Sequence, residues 1–156
     1  LEKGMLAGGN ILFKREVLIK IGGFETILGM KGNELGYCEE DSLQKRLRKA
    51  TYSIGFDPLL ALAHIVLPDT LKYFWHIKFQ YFLGRDKQLH EKDSFIIVIK
   101  DSLRTLLSTL FLKFPVNLLK WIFQRNFYWQ NVLIDTFQIL ALRLGQLSVF
   151  YKKIMN

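Results

Sequence analysis

One cysteine, Cys38, is all that the 156 residues contain, so no internal disulfide can form. Such a composition suits a reducing compartment. No charged-then-apolar signal segment precedes Gly4, and the chain opens on Leu1, which leads us to expect a longer protein whose N-terminal part is missing. No uncharged apolar run in the last third reaches the roughly 18 to 20 residues of a membrane span. Nor is there a nucleic-acid recognition motif: the basic residues are interleaved with aliphatic ones rather than gathered on a polar face, which argues against a nucleic-acid partner.

What is present is charge, unevenly spread. Residues 94 to 156 hold eight Lys or Arg against Asp101 and Asp135, leaving +6 of the chain's +8 in that third. A basic region whose charges are separated by Leu, Ile, Phe and Trp suits an anionic membrane surface.

Along the chain, Met5-Leu6-Ala7-Gly8-Gly9-Asn10-Ile11-Leu12-Phe13 joins a glycine pair to an apolar, strand-like run. Two readings stand for Gly8, Gly9 and Asn10. They form an ordinary tight turn, or they let a substrate approach the main chain beside the Asn10 amide. Val17, Leu18 and Ile21 predict a short helix over 14–21, ended by Gly22-Gly23. Residues 25–36, with Gly29, Gly32 and Gly36, read as a mobile surface loop.

The loop leads to Glu39-Glu40-Asp41, three carboxylates opening a helix that turns basic at Lys45, Arg46, Arg48 and Lys49. Acids at the first turn and bases at the last complement the helix dipole, so a purely structural reading needs no function. That reading buries Leu43 and Leu47 and leaves Lys45, Arg46 and Lys49 solvated. In the functional reading, one of the three carboxylates is a general base beside a glycine-rich loop. After Ala50, Thr51 to Phe56 reads as a short strand, and Leu59 to Leu67 as a strand buried on both faces. His64, near the end of that run, is either a core histidine or a ligand for metal or phosphate.

In series, Gly8-Gly9-Asn10, Ile21-Gly22-Gly23-Phe24-Glu25, Glu39-Glu40-Asp41-Ser42-Leu43-Gln44-Lys45-Arg46-Leu47, Asp57-Pro58, His64 and Gly84 resemble the C-terminal half of a family-2 glycosyltransferase. The resemblance covers residues 4 to about 85. It implies an α/β, Rossmann-like GT-A fold and inverting sugar transfer from a nucleotide-sugar donor to a glycan or lipid-linked acceptor, in polysaccharide or glycoconjugate synthesis. It places Gly8, Gly9 and Asn10 by the substrate. Aligned on Leu43, it makes Glu40 the base, with Asp41 the rival and Glu39 a supporting charge. Asp is the commoner residue at the Glu40 position. His64 matches a strand-end histidine that in some relatives helps hold the divalent cation, Mg2+ or Mn2+, or the diphosphate. The Asp-x-Asp that would mainly hold that cation is absent from these residues, so the chain corresponds to an acceptor-side fragment, inactive alone.

Residues 69–83 predict a helix with an aromatic stripe, ended by Gly84-Arg85-Asp86-Lys87. The organisation expected is a catalytic-base half over 1–85, a hinge over 86–93 and an amphipathic helical region over 94–156. In the last, Phe95 to Leu112 is apolar apart from Lys100, Asp101 and Arg104, Pro115 interrupts the next run, and Trp129 to Tyr151 is the clearest helix. Trp121, Tyr128 and Trp129 at headgroup depth, with Lys113, Lys120, Arg125, Lys152 and Lys153 facing anionic lipid, predict peripheral or interfacial attachment at the cytoplasmic face. The alternative function is a non-catalytic membrane-docking or scaffold module, in which the acidic stretch is only a helix start.

Overall fold

The computed structural model describes residues 8–32 and 34–155; Met5, Leu6 and Ala7 of the opening apolar run lie outside them. Among the described residues every regular element is helical: α1 (Arg15–Lys20), α2 (Glu39–Lys49), α3 (Tyr73–Glu91), α4 (Phe95–Ser108), α5 (Phe114–Phe123) and α6 (Trp129–Met155). Short 3-10 turns cover Gly8–Asn10 and Pro68–Leu71, and a π-helical turn over Thr109–Lys113 joins α4 to α5. The chain divides into two compact units, Leu1–Ile65 and Val66–Asn156.

This overturns the expected α/β, Rossmann-like fold. The only β pairing among the described residues is an isolated bridge between Lys31 and Glu34. The runs 51–56 and 59–67 form no strands, and every residue from Phe56 to Leu67 is exposed. An apolar run becomes a buried strand only when neighbouring strands satisfy its N–H and C=O groups. Here the bonds between backbone groups stay local, as from Leu60 N to Asp57 O and from Ala61 N to Leu59 O.

In the first unit, α2 forms where the charge order predicts and buries Leu43 and Leu47. Arg46 is not solvated. It is half-buried and donates from Nη1 to the Ile21 carbonyl (2.8 Å) and from Nη2 to the Gly23 carbonyl (2.6 Å). Those carbonyls lie just past the C-terminal end of α1, where backbone acceptors lack helical partners and a cation is favoured. Glu25 Oε1 completes the group, accepting from Ser42 Oγ and lying 3.6 Å from Arg46 Nε. The loop before α2 is packed rather than loose: Leu28, Gly29 and Gly36 are all buried. A Cβ on Gly36 would sit 1.6 Å from the Gly29 carbonyl oxygen, and Gly29 itself has φ +78°, so both positions require glycine.

The second unit is built on α6, which packs against α3 and against the run from α4 to α5. α3 continues through Gly84 to Glu91, so most of the expected hinge is helical. The reason is close approach. A Cβ on Gly84 would meet the Leu142 carbonyl oxygen at 1.9 Å, and one on Gly145 the Tyr81 carbonyl oxygen at 1.8 Å. Glycine lets the two backbones touch here. Asp86 is fully buried and pairs with Arg85, Nε to Oδ1 at 2.6 Å, so this arginine is no solvated loop residue. Pro115 does not break the helical run, because it stands in the first turn of α5, where its missing N–H is tolerated.

Candidate functional site

A cleft of about 850 Å³ in the first unit is lined by the segment Asn10–Lys14, the inner face of α2 and residues 52–57. Phe13, Tyr52 and Phe56 give it aromatic walls, with Asn10, Gln44 and Asp57 as polar points. A mostly apolar cavity with a few polar groups is the usual form of a small-molecule site. Asn10 closes one side: its Nδ2 donates to the Leu60 carbonyl oxygen at 2.6 Å.

Gly8, Gly9 and Asn10 form a single 3-10 turn. A Cβ on Gly9 would meet nothing within 4 Å, so that glycine is not demanded by packing. Asn10 alone of the three lines the cleft.

The acidic residues separate by helical geometry. Gln44 and Leu47 of α2 line the cleft. Glu40 stands four residues before Gln44 and seven before Leu47, hence on the same face and one turn nearer the helix start. Asp41 is turned by about 60° from Gln44 and by about 120° from Leu47, so it lies at the edge of that face. Glu39 packs elsewhere: its carboxyl carbon lies 3.1 Å from where a Gly29 Cβ would be, against the preceding loop. Glu40 and Asp41 are both half-buried, neither sealed off nor fully solvated. Cys38, which introduces the helix, holds a left-handed backbone at φ +71°, a conformation uncommon outside glycine.

His64 lies on the exposed extended segment, outside the cleft lining. Among the described residues no three His, Cys, Asp or Glu side chains gather as a metal site. His64 therefore has no ligand set around it in these residues.

Sequence reasoning missed Arg46 as a structural centre. The signal was there in Gly22-Gly23, since a helix ending on two glycines leaves carbonyls that a nearby cation can satisfy.

In the second unit, α6 is the one helix among the described residues that is long and apolar enough, by length and composition, to cross a membrane. It contains no uncharged run of that length, since Asp135 and Arg143 interrupt it between Trp129 and Tyr151, but with only those two charges there it is still apolar enough. No family model, no curated protein and no solved structure matches the chain.

Proposed function

We propose that the first unit supplies the acceptor side of an inverting glycosyltransferase, with Glu40 as its general base. The observation that carries the reading is the common face of Glu40, Gln44 and Leu47 on α2, two of which line the cleft. In this reading an acceptor hydroxyl, on a glycan or a lipid-linked saccharide, lies over the N-terminal turn of α2. The Glu40 carboxylate takes its proton as the oxygen bonds to the anomeric carbon of a nucleotide sugar. The bond from that carbon to the diphosphate oxygen breaks, and the nucleoside diphosphate leaves with the electron pair. Asn10 orients the acceptor at the cleft edge. The divalent cation of this reading binds together with the donor; His64 alone does not fit as its holder. The chemistry takes place at the cytoplasmic face of a membrane, to which the second unit attaches.

A base contributes roughly 10²- to 10⁴-fold to such a step. In the full gene product, Glu40→Gln is expected to lower release of nucleoside diphosphate at least about a hundredfold while donor binding by calorimetry is retained. Full activity in Glu40→Gln with an inactive Asp41→Asn would move the base by one residue. Full activity in both would leave the acidic turn a helix start, as in the scaffold alternative. That alternative draws on the Ser42–Glu25–Arg46 group, in which α2 serves to hold the loop before it.

A further inference from the structure

The second unit has its polarity reversed. On the run from α4 through the π turn to α5, the buried positions are Val98, Thr105, Thr109 and Asn117, three of them polar. The exposed ones include Leu103, Leu106, Leu110, Phe114, Leu118 and Ile122. In water-soluble proteins this arrangement is the wrong way out, and a continuous apolar patch of such length marks a surface that something covers.

The π turn keeps that stripe straight. From Leu106 to Ile122 the apolar residues recur every four positions, and each step of four overshoots an α-helical turn by about 40°. Four such steps would carry the stripe nearly halfway round the helix. A single wide turn over Thr109–Lys113 takes up an extra residue, about 100° of rotation, and removes most of that drift. The same correction leaves Thr109 and Asn117 on one seam, where Asn117 Nδ2 donates to Thr136 Oγ1 of α6 at 3.2 Å. Arg143 of α6 extends the seam, with its Nη2 3.3 Å from Asp101 Oδ2 and its Nη1 donating to Gln146 Oε1 at 2.8 Å. The run lies antiparallel to α6, as the Phe95–Phe150 ring contact at 5.1 Å shows at the opposite end.

We propose that the exposed face of α4–α5 is a monotopic membrane-binding surface that lies in the plane of an anionic phospholipid bilayer. α6 stands behind it and α3 is on the water side. Lys100 and Arg104, both exposed, sit beside the stripe, and the region's excess of positive charge complements anionic headgroups. A second copy of the chain fits less well, because apposing two such faces brings their cations together.

The in-plane orientation follows from α3. It accompanies α6 from the Tyr73–Trp129 ring contact, 5.8 Å between centroids, to the Gly84–Leu142 crossing, so it goes wherever α6 goes. Yet α3 carries Lys78, which is exposed, together with His76 and Lys87. Carrying such a helix across a bilayer is costly for each charge that reaches the centre. Lying flat, the unit keeps those charges in water and submerges only the α4–α5 face, about 5–10 Å deep.

This inference rests on the membrane reading of the second unit, and its readouts are independent of sugar transfer. The full chain is mixed with phosphatidylcholine vesicles containing phosphatidylglycerol and followed by flotation. In a Cys38→Ser background, an environment-sensitive dye is placed at Leu110→Cys or at Lys78→Cys. Expected are co-flotation that weakens with salt, blue-shifted and lipid-quenched emission at residue 110, and water-like emission at residue 78. The double variant Leu106→Glu/Leu118→Glu should lose at least tenfold in bound fraction with its helical circular dichroism unchanged, since both side chains are exposed. Equal deep quenching at 78 and 110 would overturn the proposal in favour of three helices crossing together. Failure to float, with a concentration-dependent dimer in ultracentrifugation, would overturn it in favour of a second copy.

Discussion

The two units solve opposite problems. In the first, cohesion comes from a few polar and glycine contacts: Arg46 on two carbonyls past α1, Glu25 between Ser42 and Arg46, and Gly29 against Gly36. Its apolar residues are largely outside, with Leu59 90% and Ile65 83% exposed. In the second, long helices pack backbone to backbone at Gly84 and Gly145, polar side chains pair inside, and apolar ones cover the outer face of α4–α5. Among the described residues the buried apolar side chains are few: Leu28, Leu43 and Leu47 in the first unit, Val98, Val132 and Ala141 in the second. The first depends on charge-assisted hydrogen bonds at a helix end, the second on close van der Waals approach and on polar pairs such as Asn117 with Thr136 and Arg143 with Asp101.

The contrast breaks most visibly at the glycine crossing. Gly84→Leu should destabilise the second unit by about 3 kcal/mol or more, because a backbone carbonyl and not a flexible side chain occupies the space. Urea unfolding followed by tryptophan emission, which reports all three tryptophans in that unit, would show the loss. A variant as stable as the parent would mean that the helices do not touch there.

A smaller loss belongs to the first unit. Arg46→Ala removes two charge-assisted hydrogen bonds and leaves Glu25 with Ser42 alone, an expected cost of about 2 kcal/mol. Hydrogen exchange would then quicken in α1 and α2 while α6 stays protected. Equal acceleration in α6 would show that the units share more than this division allows.

The smallest effect is one of pH. The Lys72 ammonium beside Asp69, by hydrogen bond and then by charge, holds that carboxyl below its usual 3.8. A depressed folded value stabilises above the unfolded one, so the contribution is present at neutral pH and lost as pH falls below 3.8. Both side chains are largely exposed, so Asp69→Asn should leave the melting temperature at neutral pH almost unchanged and slightly flatten its fall in acid. A large shift at neutral pH would contradict this.

Local rules were legible in the residues. The acids and bases of 39–49 announce α2 with Leu43 and Leu47 inside, Gly22-Gly23 ends α1, and the spacing of 129–151 announces α6. Glu40 was legible as the base candidate only through a resemblance, and the structure adds that it shares a face with Gln44 and Leu47. Less visible was which side of α6 faces inward: Gln146 reads as outward polar yet is buried beside Arg143.

By itself, then, the sequence determined where helices start and stop, because capping, charge order and period act over a few residues. Tertiary structure decided the rest. Leu59 to Leu67 is apolar enough for a buried strand, but a strand exists only through a partner's backbone, and none of the described residues provides one. Gly84 looks like a helix end, and only Leu142 on a helix distant in sequence makes it a crossing point. The acidic turn kept its form under both readings. Whether its carboxylate meets a cleft depends on Asn10 and on residues 52–57, which the chain returns to its side from either end of the unit.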